Sequence, residues 1–130
     1  MFGRRKYGNK VLTTPEGKFD GRQEWYRWKF LKECEQNGLI SNLRRQVEFT
    51  LIPKQTKHKI RHLKTKDKIE EGFAEHPVKY IADFVYDKDG EQVVEDFKGM
   101  RTPEYVIKRK LMLYMHHISI REVEKPTEAV

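Results

Sequence analysis

Between Lys79 and Lys98, two runs of alternating apolar and polar residues are joined by Asp87-Lys88-Asp89-Gly90. Asp-Gly between such runs is a strong hairpin signal, because the favoured turn needs positive φ at both central residues. The strands are expected over Lys79–Tyr86 and Glu91–Lys98. Side chains alternate across a strand, so Ile81, Asp83 and Val85 share a face of the first, and Val94, Asp96 and Lys98 share a face of the second. A two-residue turn pairs Lys88 with Glu91 and sets Asp83 opposite Asp96; a four-residue loop shifts the pairing by two and keeps the same faces. Either way, two carboxylates and an ammonium converge among Ile and Val side chains. Like charges opposite one another on a sheet repel, and half-buried carboxylates lose hydration. A divalent cation removes both problems, since Mg²⁺ is held by one or two carboxylates together with phosphate oxygens and waters. Lys98 is then placed to stabilise charge developing on a phosphate or to help position and deprotonate an attacking water. Glu95 points away from Asp96 and is expected on the surface or in a pair.

The rest of the chain supplies a frame for this hairpin. Residues 1–18 read as a basic arm. A helix is expected to start near Asp20, capped by Asp20 with Gln23 three residues on, and to run from Arg22 to Gln36 until Asn37-Gly38 ends it. Glu24, Trp28 and Leu31 fall within about 60° of one another on that helix, so Glu24 starts the inward stripe. A strand follows over 42–52, with Leu43, Arg45, Val47, Phe49 and Leu51 on one face and Pro53 closing it. Residues 54–76 read as a basic loop insertion, with seven Lys or Arg against one acid up to Lys68 and no apolar period. After the hairpin, Pro103 opens a helix to about His116 whose buried face takes Ile107, Leu111 and Tyr114. A short strand over 118–123 and a frayed tail over 125–130 complete the chain. The expected fold is a single α/β domain over 19–124 around a mixed central sheet, in the order α-β-β-β-α-β.

Composition narrows the partners. The 130 residues hold 27 Lys and Arg against 20 Asp and Glu, a net charge of +7, and 36% of them are charged. A small basic chain most often meets a polyanion, and nucleic acid is the leading one. One cysteine, Cys34, makes neither an internal disulfide nor a cysteine zinc site. No secretory h-region follows the basic start and no run spans a membrane, so a cytoplasmic setting is expected. Without a phosphate-binding glycine loop, no nucleotide cofactor is expected.

Ala82-Asp83, a twelve-residue gap, then Asp96-Phe97-Lys98 resembles the signature of the PD-(D/E)XK nuclease superfamily, with Ala82 where the name has Pro. The phrases Lys79-Tyr80-Ile81-Ala82-Asp83-Phe84 and Val94-Glu95-Asp96-Phe97-Lys98-Gly99, followed by Thr102-Pro103-Glu104-Tyr105, are similar to small phage-encoded endonucleases that resemble Holliday-junction resolvases. The resemblance covers roughly residues 19–123. It implies the restriction-endonuclease-like core and a Mg²⁺- or Mn²⁺-dependent endodeoxyribonuclease leaving 5′-phosphate and 3′-hydroxyl ends. In it Asp83, Asp96 and the Phe97 carbonyl hold the metal, Glu24 completes the site, and Lys98 assists the attacking water. A phage-encoded enzyme of this kind acts in the bacterial host cytoplasm. Two symmetric cuts in a four-way junction make a homodimer the natural assembly. The alternatives are a nuclease subunit dependent on a recombinase- or transposase-like partner, and a DNA-binding module that keeps the fold without cutting.

Each of these residues also has a plainer reading. Asp83, Asp96 and Lys98 could form a salt-bridge cluster on a solvated face, although the interleaved Ile and Val oppose full exposure. Glu24 could be a first-turn acid favoured by the helix dipole. Expected DNA contacts are Arg4, Arg5, Lys6 and Lys10 in the arm, Arg44, Arg45 and Gln46 on the strand bordering the site, Lys57, Lys59, Arg61 and Lys64 in the basic run, and Lys108, which shares a helix face with Tyr105 and Met112. Most charge runs are simply solvated. His58 and His62 are read as non-ligands, and Trp25 and Trp28 as core or dimer contacts.

Overall fold

The computed structural model describes residues 10–97 and 100–130. Arg4, Arg5, Lys6 and Lys98 lie outside the described residues. The elements run β1 (Leu12–Thr14), β2 (Gly17–Phe19), α1 (Arg22–Gln36), β3 (Ser41–Ile52), β4 (Gln55–His62), β5 (Asp67–Glu75), β6 (Val78–Lys88), β7 (Glu91–Phe97), α2 (Pro103–His116) and β8 (Arg121–Val123). The main sheet has the order β3-β6-β7-β8. Its β3–β6 and β6–β7 pairs are antiparallel and β7–β8 is parallel, so the sheet is mixed. The α1 side is closed by Leu31, Cys34, Ile40, Phe84 and Tyr86, and Trp28 stacks on Phe84 there. The α2 side is closed by Leu51, Tyr80, Ala82, Val85, Val94, Tyr105 and Met112.

The hairpin forms with a two-residue turn. Lys88 pairs with Glu91, and Asp89 and Gly90 take φ of 51° and 80°. Glycine accepts this conformation freely, and aspartate tolerates it better than most residues. Helix α1 has the expected span, but its N-cap is Gly21 rather than Asp20, and Gly21 offers no side chain. Instead the Asp20 N–H, one residue before the cap, donates to the Glu24 carboxylate at 2.8 Å. In α2, Thr102 caps through its side chain, Pro103 opens the first turn and His117 closes the helix in the left-handed region.

Four expectations are corrected. Residues 54–76 are not a loop: β4 and β5 pair antiparallel into a two-stranded ribbon. Both of its faces are exposed along β4, so no apolar period marks it as a strand. The C-terminal part of the arm is also ordered, as the β1–β2 hairpin, tied to α1 by Glu16, which accepts from Trp28 at 2.8 Å and Lys32 at 2.9 Å. Helix α2 buries Tyr105 and Met112 and packs Leu111 against the same core as expected, while Ile107 and Tyr114 are 59% and 78% exposed. Ile107 and Tyr114 point away because the helix leans on the sheet through the Tyr105, Lys108 and Met112 side, with Leu111 at its edge. Finally, the tail is not frayed. The Pro126 and Glu128 carbonyls accept from Arg27, the Ala129 carbonyl from Arg121, and the Val130 carbonyl from Lys88 at 2.5 Å.

Of the two expectations for Glu95, the pair holds and the surface does not. Glu95 is fully buried, and the Arg27 guanidinium grips it through Nε at 2.6 Å and Nη2 at 2.9 Å. Tyr86 donates to the same carboxylate at 2.7 Å. Burial and the Glu95 charge push the Tyr86 hydroxyl pKa well above its ordinary value, so it stays a donor. The pair ties α1 to β7, and both ions are fully desolvated. Removing one partner strands the other charge, which costs about 3–5 kcal/mol. Arg27→Met is therefore expected to lower the unfolding free energy by about that amount in urea titrations. A loss below about 1 kcal/mol would show that the pair is not what joins these elements.

Candidate metal and nucleic-acid site

The sheet changes faces at one level. On β6, Phe84 and Tyr86 pack toward α1, whereas Tyr80, Ala82 and Val85 pack toward α2. Strict alternation cannot put 80, 82 and 85 on one side, so the period slips between Ala82 and Val85, at Asp83. The neighbouring strand slips with it. Leu43 belongs to the α1 side, and Val47, Phe49 and Leu51 belong to or pack on the α2 side. Between the pairs Arg45↔Phe84 and Val47↔Ala82 stands Gln46 at φ 54°. A non-glycine residue in the left-handed region within a strand inverts the pleat locally and carries strain of order 1–3 kcal/mol. Ile81, Asp83 and Val85 therefore do not share a face as the sequence predicts; Ile81 is half exposed and Val85 is fully buried.

The same level is where β6 and β7 part. Their pairing ends at Phe84↔Glu95, while β7 goes on beside β8 through Asp96↔Glu122 and Phe97↔Val123. Asp83 and Asp96 are thus the next residues along the two diverging strands. The Asp83 carboxylate bridges the gap by accepting the Phe97 N–H at 2.9 Å. From α1, Glu24 comes near enough to Asp83 for the Asp83 side chain to offset part of the rise in the Glu24 pKa. Glu24 is 5% exposed, and burial, helped by the Asp20 charge, raises its pKa, against the Asp20 N–H and Arg45. Two carboxyl groups this close need a proton or a cation between them.

Asp96 is buried on the α2 side. The Tyr80 hydroxyl donates to Asp96 Oδ2 at 2.5 Å, and burial together with the Asp96 charge holds the Tyr80 pKa far above its ordinary value. Asp96 borders a cleft of about 370 Å³ also lined by Lys79, Tyr80, Thr102, Tyr105 and Lys108. Lys79 pairs with Glu48 at 2.8 Å and Lys108 with Glu104 at 3.1 Å. The structure thus leaves Asp83 and Asp96 each one position past the last β6–β7 pair, with Asp96 facing the cleft beside α2. Among the described residues, no three His, Cys, Asp or Glu side chains close into one metal-binding group. The donors are nonetheless hard oxygens, the chemistry that suits Mg²⁺ or Mn²⁺.

The other predicted contacts divide. Lys10 is exposed ahead of β1. Arg44 donates to the Asn42 carbonyl at 3.3 Å. Arg45 lies 3.8 Å above the Phe19 ring centroid and donates to the Lys18 carbonyl, so it fastens the β1–β2 hairpin to the sheet. Gln46 is exposed. Lys57, Lys59 and Arg61 stand on the ribbon and Lys64 in its turn, all exposed. Sequence reasoning missed Arg27, Tyr80 and Lys79. Arg27 carried a signal, since it sits three residues after Glu24 and four before Leu31, on the inward stripe.

The raised Glu24 pKa has a signed consequence for stability. The unfolded chain ionises Glu24 at the ordinary glutamate value, while the folded chain resists ionisation. The stability that the protonated form supports is present below that ordinary value and is lost as pH rises through the raised one. Glu24→Gln removes this loss. The variant should match the parent at about pH 4 and exceed it in urea midpoint at about pH 8. A parent that gains on the variant as pH rises would show Glu24 to be held ionised.

No curated protein and no solved structure matches the chain. A family model does, over residues 4–125, described as "Protein of unknown function (DUF1064)", and the chain belongs to that family.

Proposed function

For this member of the DUF1064 family we propose a metal-dependent endodeoxyribonuclease that hydrolyses phosphodiester bonds in branched DNA, acting as a homodimer on four-way junctions. The observation that carries the reading is the placing of Asp83 and Asp96 just past the last β6–β7 pair, where Asp83 accepts the Phe97 N–H and Asp96 accepts the Tyr80 hydroxyl. A mixed sheet entered in the order α1, β3, β6, β7, α2, β8 agrees with the restriction-endonuclease-like core that the PD-(D/E)XK resemblance implies.

Asp83, Asp96 and the Phe97 carbonyl would hold a Mg²⁺ or Mn²⁺ ion, with Glu24 on its outer side. Such an ion supplies Lewis acidity toward the phosphodiester and lowers the pKa of water. Tyr80 orients Asp96, and the Phe97 N–H orients Asp83, so both carboxylates are positioned before substrate arrives. Lys108 and Lys79 line the cleft beside Asp96, where each can exchange its glutamate for a phosphate oxygen. Lys98 is assigned to charge developing on the scissile phosphate on the strength of its motif position.

A labelled synthetic four-way junction, tested beside linear duplex of the same sequence, decides the reading. Paired cuts at the junction in Mg²⁺, absent in EDTA and in Asp83→Asn, are expected. The variant should bind junction as tightly as the parent or more tightly, because a negative charge near phosphate is gone. Equal cutting of both substrates would discard junction specificity. No cutting in Mg²⁺ or Mn²⁺, with binding retained, would overturn the enzyme reading for the chain alone. Tyr80→Phe should raise the Mg²⁺ concentration needed for half-maximal cutting by about tenfold or more. An unchanged requirement would remove Asp96 from the metal.

A further inference from the structure

The β4–β5 ribbon has two unlike faces. Its register is regular from Thr56↔Phe73 to His62↔Asp67. One face carries Thr56 and Phe73, His58 and Glu71, Ile60 and Ile69, and His62 and Asp67. This face holds the ribbon together. Ile60 and Ile69 are a cross-strand apolar pair, and His62 Nδ1 lies 2.8 Å from Asp67. Past its end, Phe73 packs on His76 at 4.5 Å between ring centroids. The opposite face carries Lys57, Lys59, Arg61 and Lys68, with Gly72 and a single acid, Glu70. One Glu70 oxygen serves both Arg61 at 3.5 Å and Lys68 at 3.8 Å. Across the thickness of one ribbon, four cations and one carboxylate thus stand against two carboxylates and two histidines.

The cationic face is also kept low. A Cβ at Gly72 would stand 3.2 Å from Lys59 Cε, so the bare backbone at 72 lets the Lys59 stem lie across the ribbon. Successive cations on β4 are about 6.8 Å apart, two strand rises, in a straight row.

We propose that the ribbon binds the sugar–phosphate backbone of DNA through the Lys57, Lys59, Arg61 and Lys68 face alone, the opposite face being turned away. Charge complementarity selects this occupant: a polyanion is attracted by the first face and repelled by Glu71 and Asp67 on the second. The proposal rests on the DNA reading above and adds which side chains of the basic run meet the duplex. Lys68 joins them, and His58 and His62 do not.

Anisotropy titrations of a fluorescent DNA duplex in EDTA, repeated across a salt series, test it. Lys57→Gln/Lys59→Gln/Arg61→Gln should weaken binding by roughly 10-fold or more at 0.1 M salt and reduce the slope of log K against log salt by about 3. Lys59→Gln/His58→Lys keeps the net charge and moves one cation to the other face; it should bind as weakly as Lys59→Gln alone. Thermal melts of the variants report whether the main sheet is intact. Parental affinity in the charge-moving variant would overturn the choice of face. Parental affinity and slope in the triple variant would overturn the ribbon as a contact while leaving the nuclease reading standing. A parent chain that binds neither this duplex nor a four-way junction would overturn both.

Discussion

The grip of Arg27 on Glu95 is the contact on which the arrangement of the molecule turns. It is a two-pronged, fully desolvated ion pair between the first helix and the strand that carries Asp96. Such a pair adds little net free energy compared with well-packed apolar groups, but it tolerates no substitute geometry, because each misplacement leaves a charge without solvent or partner. Its value is therefore directional. It fixes the height and rotation of α1 on the sheet, and Glu24 lies on the same helix three residues earlier. The Pro126 and Glu128 carbonyls occupy further donors of the same guanidinium, and Tyr86 and Arg121 crowd the carboxylate. One buried pair thus sets where the helix, the strand and the last residues meet.

Around that anchor the sheet serves two masters. Its α1 side and its α2 side are separate apolar clusters, and β3 and β6 pass from one to the other at Gln46 and Asp83. The strained Gln46 backbone is what allows this crossing within continuous strands. Asp83 is consequently reached from α1, through Glu24, while Asp96 is reached from β6 and α2, through Tyr80 and the cleft beside Tyr105. Acidic groups that would repel if they simply faced one another are held by donors from different layers.

The sequence was legible where local chemistry is decisive. Asp-Gly marked the hairpin turn, Asn37-Gly38 and Pro103 marked helix ends, and counting back from the turn gave the register as far as Phe84 and Glu95. It was illegible where tertiary context decides. Nothing local announces that Gln46 turns left-handed, so alternation was carried straight through Ile81, Asp83 and Val85. Ile107 and Tyr114 made as good an apolar stripe on α2 as Tyr105 and Met112, and only the position of the sheet chose between them. A ribbon with both faces exposed has no apolar period to betray it, so its strands passed for a charged loop. The buried Glu95 looked like any polar residue opposite Asp96, because its partner lies 68 positions away.

The ribbon makes few contacts with the layers that bury the core, and its own cross-strand pairs hold it together. Segments that bury nothing against a core can lengthen, shorten or change charge at a cost that grows only slowly with length. The frame that positions the carboxylates and the ribbon proposed to meet DNA are in this sense decoupled. Change in the ribbon leaves the frame's packing untouched, and the frame can stay fixed while the ribbon is retuned. A chain built this way can vary what it touches much faster than it can vary how it folds.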